Sequence, residues 1–325
     1  MKRWTKYGKI LGTAITTVLL VRALLVTSCF IPSSGMENSL YKGEGVLVNK
    51  WSYGLRLPFP SWIGYHRIAQ KPVDKGDVVV FNNPMPANQN ERLEARDLFI
   101  SRCIGTPGDT LLLNNELLAI DGQVFSPDSK ELYVYPSSSE DLLLETLAAL
   151  GITDNTLVGY EAGGNYIRSF SHYEYYLISQ RVGEEIAFVP LKKSEKIKSL
   201  EKELVHLSDT TDADCNVETQ KVYPFVIPAK GKAVRVYPWN AKLLCNTLIS
   251  HEQCSADVKG DTLLVNGSPV AEVIFKKDYY WVASNDPVNF NDSRLFGFVP
   301  EDHLIGKAWY IWYPARKGRF FQRVH

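Results

Sequence analysis

The chain has 325 residues, 45% of them hydrophobic and 22% charged, which is material for one large domain or two ordinary ones and excludes a disordered segment. Its 36 Lys plus Arg balance 36 Asp plus Glu, and no basic stretch is interleaved with aromatics, so nucleic acid is not an implied partner. Five cysteines without a CxxC pair exclude a disulfide scaffold and a zinc ribbon, and with no phosphate-cradling glycine motif, HExxH or His/Cys cluster no cofactor is implied.

Residues 1–9 carry Lys2, Arg3, Lys6 and Lys9, and residues 10–31 form an apolar run broken once, by Arg22. The run nearly matches the roughly 20 residues that cross a bilayer. The charges ahead of it place residues 1–9 in the cytoplasm and the body outside, so a single-pass anchor over 10–31 is expected. A cleaved signal, or a lipoprotein signal at Val26-Thr27-Ser28-Cys29, wants an uninterrupted apolar core, which Arg22 breaks.

Next comes Ile31-Pro32-Ser33-Ser34-Gly35-Met36-Glu37-Asn38-Ser39-Leu40, where the apolar run gives way to the body. Residues 43–51 then read as a buried strand, 75–81 repeat the design of a turn followed by a β-branched run, and 97–104 form a third strand ended by Gly105-Thr106-Pro107-Gly108-Asp109. Residues 110–113 and 116–120 suggest a hairpin around Asn114-Asn115. Two amphipathic helices are expected over 139–150 and 194–207. Tyr173, Tyr175 and Tyr176 fit either an aromatic platform or a half-buried strand. Cys245 and Cys254 fit either a pair or two isolated small apolar residues. Gly260-Asp261-Thr262-Leu263-Leu264 echoes Gly108-Asp109-Thr110-Leu111-Leu112 as a recurrent hairpin start, and 278–283 read as another strand. In the tail 316–325, Arg316, Lys317 and Arg319, with Trp309 and Trp312 ahead of them, suit either contact with a membrane surface or packing on the sheet. Short strands with regular turns imply a mostly antiparallel β protein.

In order along the chain, the segments 31–40, 43–54, 75–81 and 97–109, together with Asn291-Asp292-Ser293-Arg294 and Gly297-Phe298-Val299-Pro300, resemble the successive boxes of the type I signal peptidases (leader peptidases). Five ordered matches are far more specific than one. The resemblance implies an antiparallel β catalytic domain over 32–125 and 277–315, an inserted α+β second domain over 126–276, and one transmembrane helix ahead of them. It implies serine endopeptidase cleavage as the family reaction, signal peptides of exported preproteins and the membrane as partners, and a body on the periplasmic or extracellular side of the cytoplasmic membrane.

In that family a serine attacks the scissile carbonyl and a lysine, neutral because it is desolvated, takes its proton. The nucleophile position here is Gly35 and the lysine position is Ser101. The serine that supports the lysine falls on Phe290, and a family glycine falls on Ser284. Alternation along 97–104 puts Phe99, Ser101 and Cys103 on one face and Arg102 on the other. By resemblance Ser33, with the Gly35 backbone, retains the oxyanion pair, Met36 marks the binding edge, and Arg102, Asp292, Ser293 and Arg294 support the site. Ser34 adjoins Gly35, and Ser33 lies about 6 to 7 Å along an extended segment. As substitute nucleophiles, Ser34 or Ser33 would need a base such as His303, Lys75 or Lys307. Two readings follow: a peptide-binding member with its dyad disabled, or a non-enzymatic accessory or regulatory subunit of an authentic signal peptidase.

Overall fold

The computed structural model describes residues 2–88, 90–113, 130–152, 155, 157–161, 163–190, 223–286 and 291–324. Phe290, Cys215, the partner strand expected over 116–120 and the helix expected over 194–207 lie outside the described residues.

The apolar run at the start does not form one element. Helix α1 covers Lys2–Leu24, and strand β1 takes up Val26–Phe30. Residues 26–30, rich in β-branched and small polar types, pair antiparallel with β2 (Gly45–Asn49), from Val26 opposite Asn49 to Phe30 opposite Gly45. Sheet pairing therefore removes the last part of the expected 10–31 anchor. Among the described residues no helix is long and apolar enough to cross a membrane. The junction is tied down by Lys50, whose ammonium donates to the carbonyls of Arg22 and Ala23 at 2.9 and 3.0 Å, satisfying orphan acceptors at the end of α1.

Five further strands complete the main sheet: β3 (Val78–Asn82), β4 (Leu98–Gly105), β5 (Tyr279–Ala283), the short β6 (Val299–Pro300) and β7 (Leu304–Tyr313). Their order is β1-β2-β7-β3-β4-β5-β6, with every neighbouring pair antiparallel. The strands expected over 43–51, 75–81, 97–104 and 278–283 are all here. On one side of the sheet Val79, Phe81, Cys103, Val282 and Leu304 pack with Phe296 and Val299; on the other, Ile31, Met36 and Leu40 of the opening loop pack against Val46, Val78 and Ile311.

Residues 130–190 hold both helices and strands. A four-stranded sheet in the order Val189–Pro190, Lys130–Pro136, Asn165–Ser171, Gly159–Glu161 packs against α2 (Glu140–Ala149) and α3 (His172–Val182) through Tyr133, Tyr135, Leu143, Leu147, Phe170 and Ile178. Helix α2 matches the expectation for 139–150. Tyr175 and Tyr176 are on a helix, which corrects the strand alternative: Ser171 and Glu174 close a capping box that starts α3, and Tyr175 stacks on Tyr133 at 4.4 Å between ring centroids.

Described residues from 223 onward pack on the main sheet. Thr110–Leu113 pairs with Tyr223–Val226, and α4 (Pro238–Glu252) buries Leu243, Leu244 and Leu248 against Phe275, Tyr279 and Trp281. The Gly260 echo does start a hairpin strand, Thr262–Val265, which turns again at Asn266-Gly267, both with positive φ. Cys245 and Cys254 are free thiols.

Candidate functional site

The opening loop is built from its apolar residues outward. Ile31, Met36 and Leu40 are buried, and its neck is closed by Ile31 N–H to Glu44 O at 2.9 Å and Gly43 N–H to Ile31 O at 2.8 Å. Inside the neck the chain coils: Glu37 N–H reaches Ser34 O at 2.8 Å and Leu40 N–H reaches Met36 O at 2.6 Å. These bonds correct the extended geometry expected around Gly35. The strand-spacing estimate for Ser33 does not apply, and Ser33 is exposed to solvent while Ser34 is half-buried and Gly35 buried.

Ser34 meets a residue that pattern reading did not single out. Its hydroxyl donates to Asp286 Oδ2 at 3.0 Å, and Asp286 N–H donates to Gly35 O at 3.0 Å. The neighbouring Asn285 donates from Nδ2 to Glu37 O at 3.0 Å and to Ser39 Oγ at 2.9 Å. Lys130, at the start of an inserted strand, ion-pairs with Glu37 and donates its N–H to Asn285 O at 2.7 Å. The position of Asn285-Asp286 just before the last box was the only sequence signal for this contact; for Lys130, far off in the insertion, there was none.

Strand β4 supplies the other half. Phe99 and Cys103 belong to one apolar cluster, and Ser101 lies between them, fully buried, as alternation predicted. Burial there, with the Asp77 carboxylate nearby adding to it, pushes the Cys103 thiol up to about 12. The Ser101 hydroxyl lies 2.7 Å from Ile100 O and 3.2 Å from Asn291 O, so the backbone satisfies it. Arg102 faces the other way and donates to Gly76 O at 2.8 Å and Ser39 Oγ at 2.7 Å.

The supporting trio is assembled as one buried unit. Asp292 caps the turn Ser293–Phe296, accepts Ser284 N–H at 2.7 Å and pairs with Arg294, Nη2 to Oδ2, at 2.6 Å; Ser293 Oγ accepts Val282 N–H at 2.9 Å. Together they fix the return from β5 that carries Asn285 and Asp286. Ser284 takes part through its backbone N–H, which donates to Asp292 Oδ2 at 2.7 Å.

The proposed substitute bases are committed elsewhere. Lys75 pairs with Asp109 at 3.1 Å and Lys307 with Asp77. His303 contacts Asp302 Oδ1 through Nδ1 at 2.8 Å and Arg96 Nη1 through Nε2 at 3.2 Å, and its burial lowers its pKa. Because an arginine only donates, Nε2 is the acceptor and Nδ1 carries the proton toward Asp302. The partner found for Ser34 is the Asp286 carboxylate and not a lysine or histidine. Among the described residues no group of three His, Cys, Asp or Glu side chains could hold a metal ion.

The profile of the family described as "Signal peptidase, peptidase S26" matches residues 4–189, more than half of the chain. A signal peptidase I of Pseudomonas fluorescens is 35% identical over 148 residues, covering 45% of this chain and 48% of the relative. One from Pseudomonas aeruginosa is 36% identical over 122 residues, 35% of this chain and 39% of the relative. At lower identity the likeness extends along the chain: signal peptidase I of Haemophilus influenzae is 25% identical over 310 residues, 93% of this chain and 68% of the relative. The chain thus spans about half or less of the length of the first two relatives.

Proposed function

The chain belongs to the signal peptidase family, peptidase S26, and from that membership we propose that it binds the signal peptides of exported preproteins as extended segments and leaves them uncleaved. The observation that carries this reading is the contrast at the site. Asp292, Ser293, Arg294, Arg102 and Asn285 each hold their neighbours by hydrogen bonds, while the two reacting positions hold a glycine and a buried serine paired with backbone carbonyls. Losing one member of such a catalytic unit costs several orders of magnitude in rate.

Strand edges beside the site supply the peptide groove. Among the described residues β1 pairs only with β2, and β4 pairs with β5 only from Arg102 onward, so the outer edges of 26–30 and of 98–101 are open to an added strand. Seven large aliphatic side chains of α1 (Ile10, Leu11, Ile15, Val18, Leu19, Leu20 and Val21) are exposed and support docking of this helix to a membrane. The apolar part of α1, 10–24, is about 22 Å long.

A labelled preprotein and its isolated signal peptide test the reading. Saturable binding without cleavage is expected, and specific cleavage that Ser34→Ala abolishes would overturn it. Sedimentation with membranes, resistant to alkaline carbonate, tests the docking of α1. The same departures at Gly35 and Ser101 favour a second reading, an accessory subunit of an authentic signal peptidase; it predicts a changed cleavage rate when this protein is added to an active signal peptidase.

A further inference from the structure

The tail 316–325 reads in sequence as a basic appendage, but its described part is a strap over the back of the opening loop. It first closes a sheet edge: β7 exchanges bonds with it through Ile311 N–H to Gln322 O at 2.9 Å and Phe321 N–H to Ile311 O at 2.7 Å, and Val324 N–H reaches Trp309 O at 3.0 Å. Val324 is then buried in the cluster that holds Ile31, Met36 and Leu40, the three apolar pins of the loop.

Arg319 adds the polar half of the contact. It donates from Nε to Glu44 Oε1 at 2.7 Å and from Nη2 to Ser39 O at 2.7 Å and Glu44 Oε2 at 3.3 Å. The Glu44 side chain is fully buried, and its other hydrogen bond is from Tyr41 N–H at 3.0 Å. Arg316 lies over the Tyr41 ring at 3.6 Å from its centroid.

Ser39 is the junction. Its carbonyl is held by Arg319 on the strap side, and its hydroxyl by Arg102 and Asn285 on the site side. Asn285 leads directly to Asp286, which holds Ser34 and Gly35. A buried carboxylate left without its cation is costly, so the loop can keep this coil only while Arg319 is in place. We infer that Arg319 is a positioning residue: through Glu44 and Ser39 the strap holds the loop around Gly35 in the shape that receives a signal peptide. The inference deepens the peptide-binding reading and rests on it for its ligand.

The test uses the full chain with Arg319→Met, which keeps the aliphatic stem, and Lys317→Met as a charge-matched control at an exposed neighbour. Two measurements are made: affinity for a synthetic fluorescent signal peptide, and native-state amide exchange without peptide. In Arg319→Met the amides of Glu37, Leu40 and Gly43 are expected to exchange at least tenfold faster and the peptide to bind at least tenfold more weakly. The Cys103 amide, bonded to Asp77 O inside the sheet at 2.8 Å, keeps its rate, and Lys317→Met changes neither measurement. Adding Glu44→Gln to Arg319→Met removes the orphaned charge and is expected to recover part of the loop protection. Wild-type exchange rates in the loop, or equal acceleration of loop and Cys103 amides, would overturn the positioning role. Failure of the wild-type protein to bind any signal peptide would sink the peptide-binding reading instead, while the exchange measurement still decides the strap.

Discussion

Substituting Ser101→Lys places an amine at the position the resemblance gives to the family's base, and its consequence for stability can be worked out in advance. Ser101 is fully buried between Phe99 and Cys103, on the face where burial already pushes a thiol up to about 12. The same desolvation acts on an amine in the opposite direction, favouring the neutral form. In the unfolded chain the amine titrates near 10.4; if burial lowers it to about 7, the shift of roughly 3.4 units corresponds to about 4.6 kcal/mol. Because the unfolded state then binds more protons than the folded one, stability rises with pH across that window, by up to about 1.4 kcal/mol per unit. Overpacking adds about 1–3 kcal/mol that does not depend on pH.

Urea unfolding of the wild-type protein and the variant at pH 7, 8 and 9 separates the two contributions. The expected difference is largest at pH 7 and shrinks by about 1 kcal/mol from pH 7 to 8, where the folded amine is still partly protonated, and by about 1.3 kcal/mol from pH 8 to 9. A difference that stays flat with pH would refute the reasoning, since it would mean that the introduced amine reaches solvent or a counter-charge and stays protonated. With Gly35→Ser added, measurable preprotein cleavage is expected only if the amine does titrate in this low range.

Three other outcomes are expected. Asp292→Ala removes the carboxylate that pairs with buried Arg294 and the acceptor of Ser284 N–H, so urea unfolding is expected to show a loss of about 3–5 kcal/mol. Lys130→Met leaves the Glu37 carboxylate without its ammonium; signal-peptide affinity is expected to fall, and an unchanged affinity would separate the inserted segment from the site. Acid lability is expected from His251, which packs against His303 with ring centroids 5.4 Å apart and whose pKa burial lowers to about 3. Its folded pKa lies below the unfolded value near 6.5, so stability is lost as pH falls from 6.5 toward 3, by about 1.4 kcal/mol per unit, and His251→Gln is expected to flatten that slope in urea titrations at pH 7, 6 and 5.

The strands of the main sheet were legible because β-branched runs between turn residues carry their own period, and four expected strands reappear as β2 to β5. The chemistry at Gly35 and Ser101 was equally local: a glycine has no nucleophile, and alternation alone placed Ser101 on the Phe99 face. Other outcomes hung on partners distant in sequence. Residues 26–30 look like the end of a membrane run until β2 claims them, and the loop around Gly35 looks extended until its own hydrogen bonds coil it. The helix α3 was signalled by Ser171 and Glu174, a capping box that weighs more than the tyrosine spacing.

What the sequence alone determined is the set of parts: a family-like order of boxes, a mostly antiparallel sheet, and a glycine at 35 and a serine at 101. Only the tertiary structure decided who meets whom. Ser34 finds Asp286 across the fold, Ser39 gathers Arg102, Asn285 and Arg319 from three separate segments, and Lys130 comes from the insertion to Glu37. Periodicity reports which face a side chain takes along its own element, but it carries no record of the element that will lie opposite.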